Sequence, residues 1–252
     1  VAAGAGMGVD SGLPDFRGPE GFWRAYPALG RQRLRFEDVA DPRTFREQPR
    51  LAWGFYGHRM NLYRHTKPHE GFALLQRIGQ TLKHGLFAYT SNVDGQFQKA
   101  GFRGNRVCEV HGSIHHLQCL DGCLGDLWPA ADLEPVIDEE QCLWMSPLPK
   151  CPHCGGLARP NILMFGDADW LSVRTAGQRA VFDHWRREIE RPVVIEIGAG
   201  KSVSTIRRFS ETQGCPLVRI NLHDGDVPRG QISIQCGAQE GLRALMAELG
   251  IA

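Results

Sequence analysis

The sequence lacks long apolar runs and an excess of charge of either sign. It contains no run of eighteen apolar residues, which excludes a transmembrane helix within it, and no signal peptide is visible. Its 29 Lys and Arg residues are balanced by 28 Asp and Glu residues. We therefore expect no membrane association and no direct nucleic-acid binding through bulk electrostatics.

The chain also lacks an initiator Met. It opens with VAAGAG, which is typical of the end of a buried strand, so we expect the N-terminus to be truncated or processed. The sequence gives no indication of the oligomeric state.

Cysteine is too scarce for a disulfide-stapled secreted domain. Eight cysteines occur in 252 residues, whereas such domains are shorter and richer in cysteine. Four of the eight form two tight pairs, and paired cysteines without an export signal favour metal binding in a reducing compartment. We therefore expect a cytoplasmic protein.

Short apolar runs alternate with helical patterns along most of the chain. Most of these runs are continuous, which is typical of a parallel sheet covered on both faces. Between them, helical segments such as residues 69–85 place apolar side chains on one face. The alternation predicts a doubly wound α/β fold. The predicted strands are residues 86–92, 105–112, 159–166, 191–198, 216–222 and 231–236.

Two segments interrupt the alternation. Residues 29–75 are helical in character without a clear strand, and residues 114–160 contain the cysteine pairs and a middle rich in Pro and acidic residues. We expect these two segments to form a smaller helical and zinc-binding module. The main domain would then comprise residues 1–28, 76–113 and 161–252.

The cysteine pairs have the spacing of a zinc ribbon. Three residues separate Cys119 from Cys123, and two separate Cys151 from Cys154. Two short loops that each present two thiolates complete a tetrahedron, and this closed shell has no open position for catalysis. The pattern predicts a structural zinc site. Four ordinary buried cysteines are the alternative, and Cys142 between the pairs is a substitute ligand to consider.

The strand before the first pair ends at a histidine. His111 is followed at once by Gly112, and the carboxyl edge of a parallel sheet is where α/β enzymes place reactive groups. His111 is therefore a candidate catalytic residue, with a hydrogen-bonded structural histidine as the alternative. We expect His115 and His116 to link this residue to the zinc site.

The N-terminal segment GAGMGVDSGLPDFRG, residues 4–18, places closely spaced glycines after a strand end. Such glycines bring backbone amides close to a phosphate. Gly4 and Gly6 fit the dinucleotide-binding pattern, whereas the third glycine is displaced to Gly8. The Asp15-Phe16-Arg17 loop then combines a carboxylate, an aromatic ring and a cation. A surface turn with a salt bridge is the alternative for this loop.

In its motifs and their order, the chain resembles the sirtuins, which are NAD-dependent protein deacylases. The segment at residues 4–18 is similar to the first motif of that family. Several ordered motifs are far more specific than any one of them. The others are TSNVDGQFQKAG (90–101), EVHGS (109–113), the two cysteine pairs, RPNILMFGD (159–167), IGAGKSVST (197–205) and RINL (219–222).

The resemblance implies a Rossmann-like NAD-binding domain joined to a small zinc-bearing module, with NAD and acyl-lysine meeting in the cleft. It implies that NAD is consumed as a co-substrate. The acyl oxygen of a modified lysine attacks the nicotinamide ribose, nicotinamide leaves, and O-acyl-ADP-ribose and free lysine are released. The implied partner is an acyl-lysine protein or peptide.

The resemblance also implies roles for individual residues. His111 would take a proton from a ribose hydroxyl, assisted by Asn92 and Asp94. Phe165 and Val203 would flank the acyl-lysine chain, and the four paired cysteines would hold the structural zinc of the family. The implied NAD-binding residues are Gly4, Ala5, Gly6, Asp15, Phe16, Arg17, Ser91, Gly198, Gly200 and Asn221.

A Tyr-x2-Arg pair bears on the acyl group. Tyr56 and Arg59 would share one face of a helix. The family members that this pair resembles prefer succinyl or malonyl lysine, because Arg grips a carboxylate in bidentate fashion. An arginine in solvent beside a packed tyrosine is the alternative.

The match departs from the family pattern at several positions. Ser91 replaces a usual Gln, Ala199 and Gly200 replace a usual Thr-Ser pair, and Thr205 replaces a usual Pro. Three alternatives to deacylation therefore stand: ADP-ribosyl transfer to a protein, NAD hydrolysis, and a non-catalytic NAD or ADP-ribose sensor. A P-loop at IGAGKS is disfavoured because Ile195 occupies the position of its first Gly.

Overall fold

The computed structural model describes residues 1–15 and 18–251. The strands are β1 (Ala2–Ala3), β2 (Ala88–Thr90), β3 (Val107–Glu109), β4 (Gly112–Cys119), β5 (Leu127–Pro129), β6 (Ile137–Asp138), β7 (Leu143–Trp144), β8 (Ala158–Ile162), β9 (Val194–Ile197), β10 (Leu217–Ile220) and β11 (Ile232–Ile234). The helices are α1 (Gly18–Ala25), α2 (Pro27–Arg31), α3 (Phe36–Val39), α4 (Pro42–Glu47), α5 (Pro49–His65), α6 (Glu70–Thr81), α7 (Gln96–Lys99), α8 (Val173–Arg187), α9 (Thr205–Glu211) and α10 (Ala238–Glu248). Short 3₁₀ turns cover Ala5–Ser11 and Gly104–Arg106.

A six-stranded parallel sheet forms the centre of the main domain. Its strand order is β11-β10-β9-β1-β2-β3, so β1 lies between β2 and β9. Ala2 pairs with Tyr89 on one side and with Glu196 on the other. The strands β2 and β3 lie on one side of β1, and β9, β10 and β11 lie on the other. The strand order therefore changes direction at β1. This arrangement confirms the predicted doubly wound α/β fold.

Helices cover both faces of this sheet, which explains why its strands read as continuous apolar runs. On one face α6 packs against α10, and Phe72, Leu75 and Leu242 are fully buried or nearly so. On the other face, Phe182 of α8 and Ile206 of α9 join a separate buried cluster. Each helix therefore presents one apolar face to the sheet, as its sequence spacing predicts.

The segment at residues 159–166 contains a strand, as predicted, but this strand does not join the parallel sheet. Its strand, β8, pairs antiparallel with β4 in a three-stranded sheet of order β5-β4-β8. The reason is that the chain leaves the main sheet after β3 and changes direction at Gly112, the first residue of β4, where φ is +80°. A side chain there would lie 2.0 Å from the carbonyl oxygen of Asn161, so only glycine permits this pairing.

The helices α1 to α5 pack around an aromatic core that also includes the β6–β7 hairpin. Phe22, Trp53, Phe55 and Trp144 are all buried in it. The predicted domain boundary at residue 75 falls within α6, whose apolar residues pack with the parallel sheet instead. The division into a main domain and a smaller module otherwise stays a prediction.

Among residues 1–15 and 18–251, no helix is both long enough and apolar enough to cross a bilayer.

Candidate active site

A cavity of about 790 Å³ opens at the carboxyl ends of β1, β2 and β9. This is the edge of a doubly wound sheet where ligands bind, next to the point at which the strand order reverses. The predicted NAD-binding, catalytic and acyl-binding residues that the structure describes all line it; Phe16 and Arg17 lie outside the described residues. The lining residues are Gly4, Ala5, Gly6, Asp15, Tyr56, Arg59, Ser91, Asn92, Asp94, His111, Phe165, Gly198, Gly200, Val203 and Asn221.

Glycine contacts bring the ends of β1 and β9 together at the floor of the cavity. The Gly4 amide donates to the Ile197 carbonyl at 2.9 Å, and the Gly6 amide donates to the Gly198 carbonyl at 3.0 Å. A Cβ atom on Gly6 would lie 2.6 Å from the Gly198 Cα, and Gly198 itself has φ of +60°. These glycines therefore allow the backbone after β1 to contact the backbone after β9. This contact places the 3₁₀ turn at Ala5–Ser11 beside the cavity.

The loop after β2 is tied to the same floor. The Thr90 hydroxyl donates to the Ala3 carbonyl at 2.8 Å and accepts from the Asn92 amide at 3.0 Å. The Asn92 side chain then donates through Nδ2 to the Gly4 carbonyl at 2.9 Å. Ser91 contributes its backbone amide, which donates to the Ala3 carbonyl at 3.2 Å. Asn92 is thus held beside the glycine loop, with its amide nitrogen already in use.

Asp94 is a buried carboxyl at the back of this loop. Its Oδ1 accepts from the Gln96 amide at 2.8 Å and so starts α7. Burial, and secondarily the nearby Glu109, raises the pKa of Asp94 to about 6, although the Gln96 amide and Arg59 oppose the shift. The carboxyl is therefore partly protonated close to neutral pH, which suits a group that exchanges protons with substrate hydroxyls.

His111 lies in the turn between β3 and β4, at the sheet edge that the sequence predicts. Its carbonyl accepts from the Leu163 amide at 2.9 Å, which fixes the backbone. Its Nε2 lies 3.2 Å from the Thr205 hydroxyl. Burial lowers the pKa of His111 below its usual value, so the ring is neutral at neutral pH and can accept a proton. Thr205 was missed as a site residue; the only signal was its departure from the family pattern.

Tyr56 and Arg59 lie on one face of α5 and are both buried. The Arg59 guanidinium donates to the Tyr63 hydroxyl through Nε at 2.9 Å and through Nη2 at 2.8 Å. It lies 5.2 to 5.6 Å from the ring centres of Phe55, Tyr56 and Tyr63. A buried cation within an aromatic shell therefore faces the same cavity as His111. Tyr63, which sequence reasoning missed, orients it.

The mouth of the cavity carries the two apolar residues predicted to flank an acyl-lysine chain. Phe165 is 39% exposed and Val203 is 45% exposed. The Phe165 amide donates to the Ala40 carbonyl at 2.9 Å, and its ring packs edge-on against Phe36, with centres 5.9 Å apart. Exposed apolar side chains at a cavity rim are suited to contact a second chain.

Asn221 lies at the far end of the cavity, where it stabilises two loops. Its Nδ2 donates to the Ala199 carbonyl at 2.9 Å, and its Oδ1 accepts from the amides of His223 and Asp224. The side chain therefore shapes the end of the cavity through backbone contacts. The nearby Lys201 lines the cavity and pairs with Asp226 at 2.8 Å.

The four paired cysteines converge, and their sulfurs all lie within 4.8 Å of one another. Cys119 Sγ is 3.7 Å from Cys154 Sγ, and Cys123 Sγ is 3.6 Å from Cys151 Sγ. A tetrahedral zinc ion with bonds of about 2.3 Å requires sulfur–sulfur distances of about 3.8 Å. The donor set and its spacing therefore fit a structural zinc ion. Cys142 lies in the aromatic core instead and is not one of this set.

These observations define a class of protein, an α/β fold with a glycine-floored cavity suited to a dinucleotide and with a separate thiolate metal centre. Comparison with known proteins identifies the family within that class. Residues 4–203 match the model of the Sir2 family. The chain therefore belongs to the Sir2 family, which confirms the resemblance to sirtuins.

Individual relatives and structures agree with this assignment. The NAD-dependent protein deacylase 2 of Pyrobaculum aerophilum is 30% identical over 258 residues, which cover 99% of this chain and 90% of that protein. The NAD-dependent protein deacylase of Thermococcus sibiricus is 28% identical over 254 residues, which cover 98% and 89%. The crystal structure of a Sir2 homologue–NAD complex is similar with a TM-score of 0.72 at 27% identity, over 98% of this chain and 87% of that chain.

Proposed function

We propose that this protein removes acyl groups from protein lysine and consumes NAD, producing nicotinamide, O-acyl-ADP-ribose and free lysine. One observation carries the proposal. In a member of the Sir2 family, His111, the Asn92–Asp94 loop and the glycine contact at the strand ends all face one cavity. NAD supplies the reactive ribose carbon and the leaving nicotinamide. The cavity fits it because glycines bring the backbone to the cavity floor, as diphosphate binding requires.

His111 serves as the general base in this proposal. Its neutral imidazole accepts a proton from a ribose hydroxyl, and burial supports the neutral form because it lowers the pKa of the ring. The Thr205 hydroxyl at 3.2 Å from Nε2 holds the ring in one orientation. Orientation matters because a misplaced base loses much of its effect.

Asn92 and Asp94 would position the ribose hydroxyls and the water that takes part. Asn92 Oδ1 stays available to a substrate because the hydrogen bond to Gly4 uses only Nδ2. Asp94 is partly protonated near neutral pH, with a pKa of about 6, and in that form it donates as well as accepts hydrogen bonds. The two side chains thus offer both donors and acceptors to ribose.

We further propose a preference for acyl groups that end in a carboxylate, such as succinyl or malonyl. Arg59 supports this because its guanidinium is buried, is oriented by Tyr63, and lines the cavity together with His111. A carboxylate in that position would gain a charge-assisted pair in a largely apolar setting. Tyr56, on the same face of α5, would add one hydroxyl donor.

The activity is tested by mass spectrometry of NAD incubated with acetyl-, malonyl- and succinyl-lysine peptides. We expect peptide-dependent release of nicotinamide and formation of O-acyl-ADP-ribose, both lost in His111→Ala. Nicotinamide release that does not depend on peptide would favour ADP-ribosyl transfer or NAD hydrolysis. If neither the wild type nor His111→Ala turns over NAD, the chain is a non-catalytic sensor and the proposal fails. If His111→Ala turns over NAD as fast as the wild type does, His111 is not the base and the mechanism fails.

Acyl preference is tested in the same assay by the ratio of kcat/KM for succinyl and acetyl peptides. Loss of a charge-assisted hydrogen bond costs about 1.5–3 kcal/mol, so we expect Arg59→Met to lower this ratio by about 10- to 150-fold. Arg50→Met is the matched control, because Arg50 lies on α5 but donates to the Trp144 carbonyl outside the cavity. An unchanged ratio in Arg59→Met would refute the acidic preference and leave deacylation intact.

The partner in this proposal is an acyl-lysine segment of another protein, with Phe165 and Val203 at the rim against the lysine chain. A cytoplasmic location, expected from the paired cysteines, stays a prediction.

A further inference from the structure

The chain between β8 and α8, which we call the rim loop (residues 163–171), forms one side of the mouth of the main cavity. Leu163, Met164 and Phe165 line the cavity there, and Leu163 and Phe165 are exposed. The loop has irregular backbone, so its position depends on side chains of the strands beneath it. Two groups of buried polar side chains, one on β8 and one on β4, make those contacts.

A buried ion pair holds the middle of the rim loop. The Arg159 guanidinium on β8 donates to both carboxylate oxygens of Asp167, from Nη1 to Oδ2 at 2.7 Å and from Nη2 to Oδ1 at 2.8 Å. Both side chains are fully buried. Asp167 Oδ2 also accepts from the Met164 amide at 3.3 Å. A bidentate pair fixes the relative orientation of its partners, so the turn between Met164 and Asp167 is fixed to β8.

The buried side chain of Gln118, on β4, holds the end of the rim loop. Its Nε2 donates to the Asp169 carbonyl at 2.9 Å, and its Oε1 accepts from the Leu171 amide at 3.2 Å. The same Oε1 accepts from Asn161 Nδ2 at 2.8 Å, and this nitrogen also donates to the Leu171 carbonyl at 2.9 Å. One amide side chain therefore pairs with two points of the loop backbone, and buried groups of this kind are costly to leave unpaired.

These contacts fix geometry more than they add stability. Taking two charges out of water costs about as much free energy as a buried ion pair recovers, and an apolar replacement of the same size is often as stable. The pair between Arg159 and Asp167 therefore acts mainly on the position of the chain that it holds. Gln118 and Arg159 do not line the cavity, so they reach a substrate only through the rim loop.

We propose that Gln118 and the Arg159–Asp167 pair are positioning residues for the acyl-lysine substrate. They hold the rim loop from one side. The end of α3 holds it from the other, because the Phe165 amide donates to the Ala40 carbonyl at 2.9 Å. Phe165 is thereby fixed at the cavity mouth, where the lysine chain would enter. This inference rests on the proposed function, since it concerns the peptide substrate of the same site.

The half of the cavity that would hold NAD does not depend on these side chains. The ends of β1 and β9 are joined there by backbone contacts of glycines. His111 is held through its carbonyl by the Leu163 amide. The neighbouring pairing of Gly112 with Ile162 is likewise a backbone contact between β4 and β8. Loss of the Gln118 side chain should therefore weaken the binding of peptide and leave the binding of NAD unchanged.

Steady-state kinetics of Gln118→Met test this separation, since Met has nearly the length of Gln but lacks the amide. The measured peptide is the acyl-lysine peptide that the wild type turns over fastest. We expect its KM to rise about fivefold or more, while the KM for NAD stays within about twofold of the wild-type value. Gln76→Met is the matched control, because Gln76 donates to the Ala100 carbonyl at 3.0 Å, away from the rim loop, and both of its KM values should match those of the wild type.

Hydrogen exchange followed by mass spectrometry tests the position of the rim loop without any turnover. The amides of residues 163–171 should exchange about tenfold or more faster in Gln118→Met than in the wild type. In Gln76→Met they should exchange as in the wild type. Asp167→Asn removes the charge of the ion pair with little change in size and should act in the same direction, so it keeps the test available if Gln118→Met does not fold.

Unchanged exchange of the rim loop in Gln118→Met and Asp167→Asn would overturn the positioning role. Faster exchange with an unchanged KM for the peptide would overturn it as well, because the loop would then be held without consequence for the substrate. An equal rise in the KM values for peptide and NAD would show a general loosening of the fold and would have the same result. If the wild type turns over no NAD, the proposed function fails, and the exchange measurement alone decides whether Gln118 holds the rim loop.

Discussion

Replacing Asp94 with Asn should make the protein progressively more stable than the wild type as the pH rises. Burial raises the pKa of this carboxyl to about 6 from an ordinary value of 3.8. The folded protein therefore binds the proton more tightly than the unfolded chain does. Below about pH 4, Asp94 is protonated in both the folded and the unfolded protein, and its stabilising contribution is fully present. This contribution is lost as the pH rises through about 6.

The size of the effect follows from the shift itself. Each pKa unit corresponds to about 1.4 kcal/mol, so a shift of this size corresponds to about 3 kcal/mol. Asn has nearly the same shape, and its oxygen can still accept from the Gln96 amide, but it does not titrate. The other ionisable groups are common to both proteins. The difference in free energy of unfolding between Asp94→Asn and the wild type should therefore grow by about 3 kcal/mol between about pH 4 and about pH 7.

Urea unfolding of both proteins, followed by circular dichroism at several pH values across this range, measures that difference. The slope with urea should be the same for both chains, so that the midpoints report stability. A difference that stays constant, or a wild type that gains stability over the variant as the pH rises, would show that Asp94 is not the buried, desolvated carboxyl described above.

Three further changes test other parts of the site. Thr205→Val removes the hydroxyl beside His111, so kcat/KM should fall about fivefold and the tautomer ratio of the His111 ring, measured by nitrogen NMR, should change. Thr205→Ser keeps the hydroxyl and should restore both values. An unchanged tautomer ratio in Thr205→Val would refute the contact. Gly6→Ala places a Cβ 2.6 Å from the Gly198 Cα, so calorimetry should show at least tenfold weaker ADP-ribose binding, and wild-type affinity would refute the glycine argument. Metal analysis should find one zinc per chain, lost in Cys151→Ser together with a lower melting temperature; a metal-free wild type of full stability would contradict the zinc assignment.

The floor of the cavity could be predicted from sequence because its signals are local. A strand end followed by Gly4 and Gly6 can be recognised from a few consecutive residues. Parallel strands bring their carboxyl ends to one edge of the sheet in any strand order. The same holds for the cysteine pairs, since each short loop sets the position of two sulfurs by itself. The pairing of β8 with β4 could not be predicted in this way, because it depends on a turn at Gly112 that no local pattern separates from a strand end.

What a motif leaves unspecified is which atoms of a side chain remain available once the chain is folded. Asn221 is predicted to bind NAD, and its amide nitrogen and oxygen both hydrogen-bond to backbone groups, whereas Asn92 retains its oxygen. The contact between His111 and Thr205 joins residues 94 positions apart, and the orientation of Arg59 depends on a tyrosine one helical turn away. We therefore expect the substrate class to depend on the packing of α5 and α9 against the floor of the cavity. Variants in those helices should change acyl preference and base orientation while dinucleotide binding persists.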